Sequence, residues 1–179
     1  MSKLYKCGLY LGRFQPFHVG HQVITNLMLR ECEKAIIAVG SAQESGTKRN
    51  PLSYECRERL IKKTFQDYGD RLIVIPIRDR VTYSDDSSWG DYLFEQIEYQ
   101  TCLRPEVVYE GDESTNDHWY DNFDIKVNKI PRYMLPVIGT EVRQAIIEDR
   151  NDYAINRLPK AIYDYYDEIR KEIQNAGLN

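Results

Sequence analysis

Two imidazoles, His18 and His21, stand three residues apart inside GRFQPFHVGH, residues 12–21, in a chain that has only 3 histidines. Gly12, Pro16 and Gly20 break any strand ladder through this stretch, so the imidazoles belong to a turn. Glycines let a backbone approach a ligand, and a helix opening near Gly20 presents unpaired N–H groups and the positive end of its dipole. An anion is the natural guest. Two imidazoles placed there can donate hydrogen bonds to phosphate oxygens and strengthen them as charge develops in a transition state. Two plainer readings compete: His18 as a surface turn residue with His21 capping a helix, and a zinc pair, which lacks neighbouring ligands in sequence.

The elements that must position this turn are legible from periodicity. Cys7–Leu11, Ala35–Val39, Leu72–Ile77 and Val107–Tyr109 are short apolar runs, β-branched or aromatic, and read as buried parallel strands. Between the first two, Val23, Ile24, Leu27 and Met28 recur at a helical period within His21–Glu33; between the next two, Tyr54, Leu60, Ile61 and Phe65 do so. Alternating strand and helix predicts an α/β fold, a Rossmann-like open parallel sheet with helices on both faces. In such sheets ligands lie beyond the carboxyl ends of the strands, where GRFQPFHVGH falls. At the tail, Ile155, Leu158, Ile162, Tyr165, Tyr166, Ile169 and Ile173 follow three- and four-residue spacings, predicting one further docking helix. Arg78–Gly90, with Thr82-Tyr83-Ser84-Asp85-Asp86-Ser87-Ser88, reads as a long polar loop; Asp85-Asp86 is a solvated turn or a minor metal contact.

Composition sets the bounds. A length of 179 residues with 42% hydrophobic content fits one domain, 1–179, divided roughly into a 1–150 α/β core and a 151–179 C-terminal helical element. No apolar run reaches bilayer-spanning length and the start lacks a signal-peptide core, so a soluble, cytoplasmic chain without a membrane partner is expected. The 4 cysteines, Cys7, Cys32, Cys56 and Cys102, are scattered without metal or disulfide spacing. A net charge of −4 gives no global reason to bind nucleic acid and leaves room only for a local basic pocket.

The whole string closely resembles the G-R-F-Q-P-x-H-x-G-H signature of the nucleotidyltransferase superfamily. Further stretches narrow the likeness: Ser41-Ala42-Gln43, Arg49-Asn50-Pro51-Leu52-Ser53, Ile75-Pro76-Ile77-Arg78-Asp79, Trp89, Gly139-Thr140-Glu141-Val142-Arg143 and Leu158-Pro159. Together they resemble the archaeal-type nicotinamide mononucleotide adenylyltransferases over nearly the whole chain. That resemblance implies adenylyl transfer from ATP, with Mg²⁺, to nicotinamide mononucleotide, giving NAD and pyrophosphate. The substrate phosphate itself attacks, so positioning and charge neutralisation supply the catalysis.

Residue by residue, the resemblance implies that His18 and His21 hold the ATP phosphates, with His21 at the transferring group. Gly12, Arg13, Phe14 and Gly20 form the nucleotide-binding turn, and Arg49 lies near the reacting phosphates. Gly139, Thr140 and Arg143 converge on the β- and γ-phosphates, and Trp89, Asp79 and Asp112 make the acceptor pocket, Trp89 stacking on nicotinamide. Two positions depart from the family pattern: Asp112 stands where relatives often carry Asn, and Ile138 where they usually carry a phosphate-donating Ser. No protein metal ligands are implied, and a homo-oligomer is. Nicotinate mononucleotide or another phosphorylated acceptor, CTP as donor, and a non-catalytic nucleotide sensor stay open at this level.

Overall fold

The structure, a computed structural model, describes residues 3–80, 86–111, 119–135 and 137–177. Strands β1 (Tyr5–Gly12), β2 (Cys32–Val39), β3 (Leu72–Pro76), β4 (Val107–Gly111) and β5 (Lys126–Ile130) alternate with helices α1 (Val19–Glu31), α2 (Tyr54–Thr64) and α3 (Asp86–Thr101). Helices α4 (Gly139–Ile147), α5 (Asn151–Ile155) and α6 (Tyr166–Gly177) complete the chain. The sheet is parallel throughout, ordered β3-β2-β1-β4-β5.

Alternate residues of the inner strands sort to opposite faces, as the period of two requires. Tyr10, Ala35, Ile37, Val39, Val107 and Tyr109 join a core under α1 and α2. Cys7, Leu9, Ile36, Ala38, Ile75 and Val108 join another that includes Leu93, Phe94 and Ile97 of α3. The expected fold is therefore observed, helices on both faces included. Winding outward through β2 and β3 and then returning to β4 beside β1 creates a switch point at the carboxyl end of β1, the place such sheets use for ligands. The histidine turn leaves β1 there.

Four expectations are corrected. The first helix begins at Val19 rather than His21, and Cys32 and Glu33 belong to β2. A fifth strand, Lys-Val-Asn-Lys-Ile, was not anticipated; at the sheet edge only Ile130 is fully buried, so it carries little hydrophobic signal. The polar stretch expected to run to Gly90 gives way to α3 at Asp86, while residues 81–85, Asp85 among them, lie outside the described residues.

The fourth concerns the tail, which is three pieces rather than one helix: α5, a 3₁₀ segment at Lys160–Tyr165, and α6. Pro159 lacks the N–H that a continuous helix needs and caps the 3₁₀ segment instead. The expected apolar stripe survives the break. Leu158, Ile162, Tyr166, Ile169 and Ile173 pack with Leu52, Cys56 and Leu60 around α2 and with Val142 and Ile146 of α4 in a third core. No described helix is long and apolar enough to cross a membrane.

Candidate active site

His18 is the N-cap of α1 and His21 its third residue, and the pair closes a reciprocal cap in which imidazoles replace the usual hydroxyl and carboxylate. His21 Nδ1 accepts from the His18 N–H at 3.2 Å, and His18 Nδ1 accepts from the His21 N–H at 3.4 Å. The rings stack at 3.6 Å between centroids, tilted by 17°. With both Nδ1 atoms accepting, each neutral ring carries its proton on Nε2, leaving that edge as a donor. His18 is buried, so the surface-turn reading fails; capping is real and leaves the opposite edges free for chemistry.

Burial, then the guanidinium charges of Arg132 and Arg143, push His18 down to about 3. Burial, then His18, holds His21 well below the ordinary imidazole value. Phe14 meets the His21 ring edge-on at 4.9 Å and Phe17 lies at 5.4 Å, which accounts for the dry surroundings. Both imidazoles are neutral donors at neutral pH.

The turn is locked by its own residues. Gln15 is buried and pairs both ways with the Leu52 backbone, its Nε2 donating to the carbonyl at 3.0 Å and its Oε1 accepting from the N–H at 2.9 Å. Gly20 is closely enclosed: a Cβ there would sit 3.0–3.1 Å from the His18 ring and 3.3 Å from the Val137 carbonyl. Phe14 holds a left-handed φ of 54°, uncommon for a non-glycine residue.

Arginines surround this pair. Arg143 Nη1 donates to the Gln15 carbonyl at 2.7 Å and Nη2 to Thr140 Oγ1 at 3.2 Å, tying α4 to the turn. Gly139 opens α4 so close to the histidines that a Cβ on it would lie 3.6 Å from His18 Nε2. Ile138 is the α4 N-cap and supplies no side-chain hydrogen bond. Arg13 is exposed at the end of β1, and its proton affinity is lowered by partial burial and then by Arg49; Arg143 is lowered by burial and then by Arg13. In a chain of net charge −4, four arginines, counting Arg132, gather around one turn; Asp79 and Glu44 offset the crowding at Arg13 only in part, and a polyanion would relieve the rest.

The remaining expected residues fall into place unevenly. Asp79 follows β3 and exchanges hydrogen bonds with Gln43: its N–H donates to Oε1 and its Oδ2 accepts from Nε2, both at 3.1 Å. Trp89 is half-buried on α3 and meets Trp119 edge-on at 5.5 Å. Asp112 lies outside the described residues. Sequence reasoning missed Arg132, which lies on the 3₁₀ turn after β5, donates to the Leu135 carbonyl and lines the cavity beside the histidines. That cavity holds about 230 Å³ between His18, His21, Arg132, Gly139 and an apolar wall of Tyr10, Ile24, Leu135 and Val137.

Such a site asks for a nucleotide: an apolar recess at one end, a cationic phosphate cradle at the other. The cytidylyltransferase-like family model matches residues 9–145, a span that runs from β1 through the histidine turn into α4. The chain belongs to the cytidylyltransferase-like family. Its relatives include the nicotinamide-nucleotide adenylyltransferase of Methanococcus aeolicus, 30% identical over 174 residues and covering 96% of this chain and 94% of the relative. That of Saccharolobus solfataricus is 32% identical over 170 residues, 91% of each chain. Among solved structures, a bifunctional NMN adenylyltransferase/ADP ribose pyrophosphatase from Francisella tularensis, complexed with AMP and a manganese ion, superposes with a TM-score of 0.68 at 20% identity. This cytidylyltransferase-like chain is covered to 95% but spans about half, 52%, of that longer protein. The archaeal-type likeness read from the sequence is borne out.

Proposed function

We propose that this chain is a nicotinamide-nucleotide adenylyltransferase whose chemistry rests on the neutral histidine pair and the arginines around it. The enzyme joins ATP and nicotinamide mononucleotide into NAD and pyrophosphate: an acceptor phosphate oxygen bonds to the ATP α-phosphorus as the bond to the bridging oxygen of pyrophosphate breaks. The observation that carries the reading is the backbone-fixed tautomer of His18 and His21, which leaves two Nε2–H donors on rings that line the cavity.

The adenosine end enters the recess of Tyr10, Ile24, Leu135 and Val137, and the α-phosphate reaches His21. His18, Gly139, Thr140 and Arg143 hold the β- and γ-phosphates, with the uncapped first turn of α4 adding N–H donors. Arg143 serves as a fork better than lysine because its plane is fixed by two hydrogen bonds. Arg13 and Arg49 take the acceptor phosphate, and Asp79 and Trp89 border the acceptor nucleoside. Since both imidazoles start neutral, they attract the growing negative charge at the α-phosphoryl group without repelling the arginines beforehand.

A divalent cation such as Mg²⁺ would supply charge neutralisation to the triphosphate when bound. The donors at the turn are imidazoles and guanidinium groups, which fit a metal carried by the triphosphate and water rather than one held by protein carboxylates. Among the described residues the only cluster with three possible ligand groups is Cys56, Glu168 and Glu172, in the contact between α2 and α6. The enzyme is a cytoplasmic homo-oligomer that binds neither nucleic acid nor membrane.

Pyrophosphate release from MgATP, with nicotinamide mononucleotide and nicotinate mononucleotide in parallel, tests the reading. Release with the first acceptor that His21→Ala suppresses is expected. Absence of release with either acceptor across a broad pH range refutes it, and tight NAD binding in that case identifies a sensor.

A further inference from the structure

Arg57, on α2, is completely buried, which is rare for so strongly hydrated a charge. Among the described residues its hydrogen-bond partners are backbone carbonyls, while the Glu55 and Asp79 carboxylates act on it through space. Nε donates to Ser53 O at 3.1 Å, Nη1 to Arg13 O at 3.0 Å and Gly40 O at 2.8 Å, and Nη2 to Ser41 O at 3.1 Å. One guanidinium therefore ties together the loops leaving β1 and β2 and the N-cap of α2, Ser53.

The carbonyls on Nη1 are not arbitrary. Each precedes a non-glycine residue in the left-handed region: Phe14 with φ 54° after Arg13, Ser41 with φ 47° after Gly40. In a trans peptide the carbonyl and the following N–H point in opposite directions. Drawing both carbonyls onto Nη1 therefore turns the N–H groups of Phe14 and Ser41 away from the guanidinium, on two loops that β1–β2 pairing sets side by side, Gly12 opposite Val39. Neighbouring N–H groups turned away from a cation behind them make an anion-binding concavity.

We propose that Arg57 is a positioning residue for the acceptor's phosphate. It holds the 13–14 and 40–41 peptides so that their N–H groups, with Arg13 and Arg49, receive the phosphate of nicotinamide mononucleotide. The inference rests on the adenylyltransferase reading above. Arg57 touches no substrate and acts through the two peptides, so its loss changes phosphate recognition selectively rather than nucleoside recognition.

The test uses the full chain with Arg57→Met and Arg57→Lys, and nicotinamide riboside as the phosphate-free probe. In Arg57→Met the KM for nicotinamide mononucleotide rises about tenfold or more while the KM for ATP changes within about twofold. The calorimetric Kd for nicotinamide riboside stays within about twofold, and Arg57→Lys, which keeps the charge but not the fork, falls between. Equal losses for the nucleotide and its riboside, equal rises in both KM values, or an unchanged nucleotide KM each overturn the proposal. Where Arg57→Met loses its circular-dichroism signature, the same ratios are read from Arg57→Lys; unfolding of both assigns Arg57 to the fold alone and also overturns it. A wild-type chain inactive with nicotinamide mononucleotide refutes the enzyme reading itself, a result separate from any ratio between variants.

Discussion

At the residue scale, the reciprocal cap makes two histidines into a single device. Each Nδ1 is occupied by the other's backbone N–H, so stacking, tautomer and donor direction are set before any ligand arrives. Replacing His21 by Ala removes a donor needed most in the transition state. We expect kcat to fall about 10²–10³-fold, with ATP affinity by calorimetry changing far less. Acid stability follows from the same burial. His18 titrates near 3 in the fold and near 6.5 when unfolded, so the unfolded chain takes up the proton first as pH falls. The fold therefore loses stability from about pH 6.5 downward toward about pH 3. His18→Asn keeps an N-capping acceptor but does not titrate; its loss of stability between pH 7 and 5, followed by urea unfolding, should be smaller than wild type by about 1–2 kcal/mol.

At the scale of elements, α1 and α4 present their N-termini to one cavity but differ in capping. α1 is closed by His18, whereas the N-cap of α4, Ile138, offers no side-chain acceptor. A serine in that place would accept from the first turn and offer a hydroxyl to phosphate. Ile138→Ser is expected to raise unfolding free energy by about 1 kcal/mol and to lower the KM for ATP, both measurable on one preparation. An unchanged thermal midpoint would show that the open N-terminus of α4 costs nothing.

For the whole molecule, the site depends on a core that contains none of its chemistry. Helix α6 buries Ile169 and Ile173 against α2 and α4, and α4 carries Gly139, Thr140 and Arg143. Ile169→Ala should destabilise the chain by about 2–5 kcal/mol in denaturant unfolding, with kcat retained at temperatures where the variant stays folded. A loss of kcat without loss of stability would instead mean that α6 steers α4 during turnover. The cationic cluster is also a property of the whole: arginines from the β1 turn, the β2–α2 loop, the β5–α4 connection and α4 meet only once the sheet has assembled.

Much of this was determined by the sequence alone, because its signals are local. Gly12, Pro16 and Gly20 bracket the histidines within one turn, and period-two and helical repeats mark the inner strands and α1 and α2. The short edge strand β5 and the break at Pro159 escaped: the first buries too little to show a pattern, and the second interrupts a helix without interrupting its apolar stripe. Arg132 and Arg57 were beyond reach for a different reason. Arg132 stands in no motif, and Arg57 sits in Glu-Cys-Arg-Glu-Arg, which reads as a solvated helix face. Only the tertiary structure decided that one would face the histidines and the other would be sealed under two loops, because burial and proximity come from distant segments meeting across the sheet rather than from any neighbour in the chain.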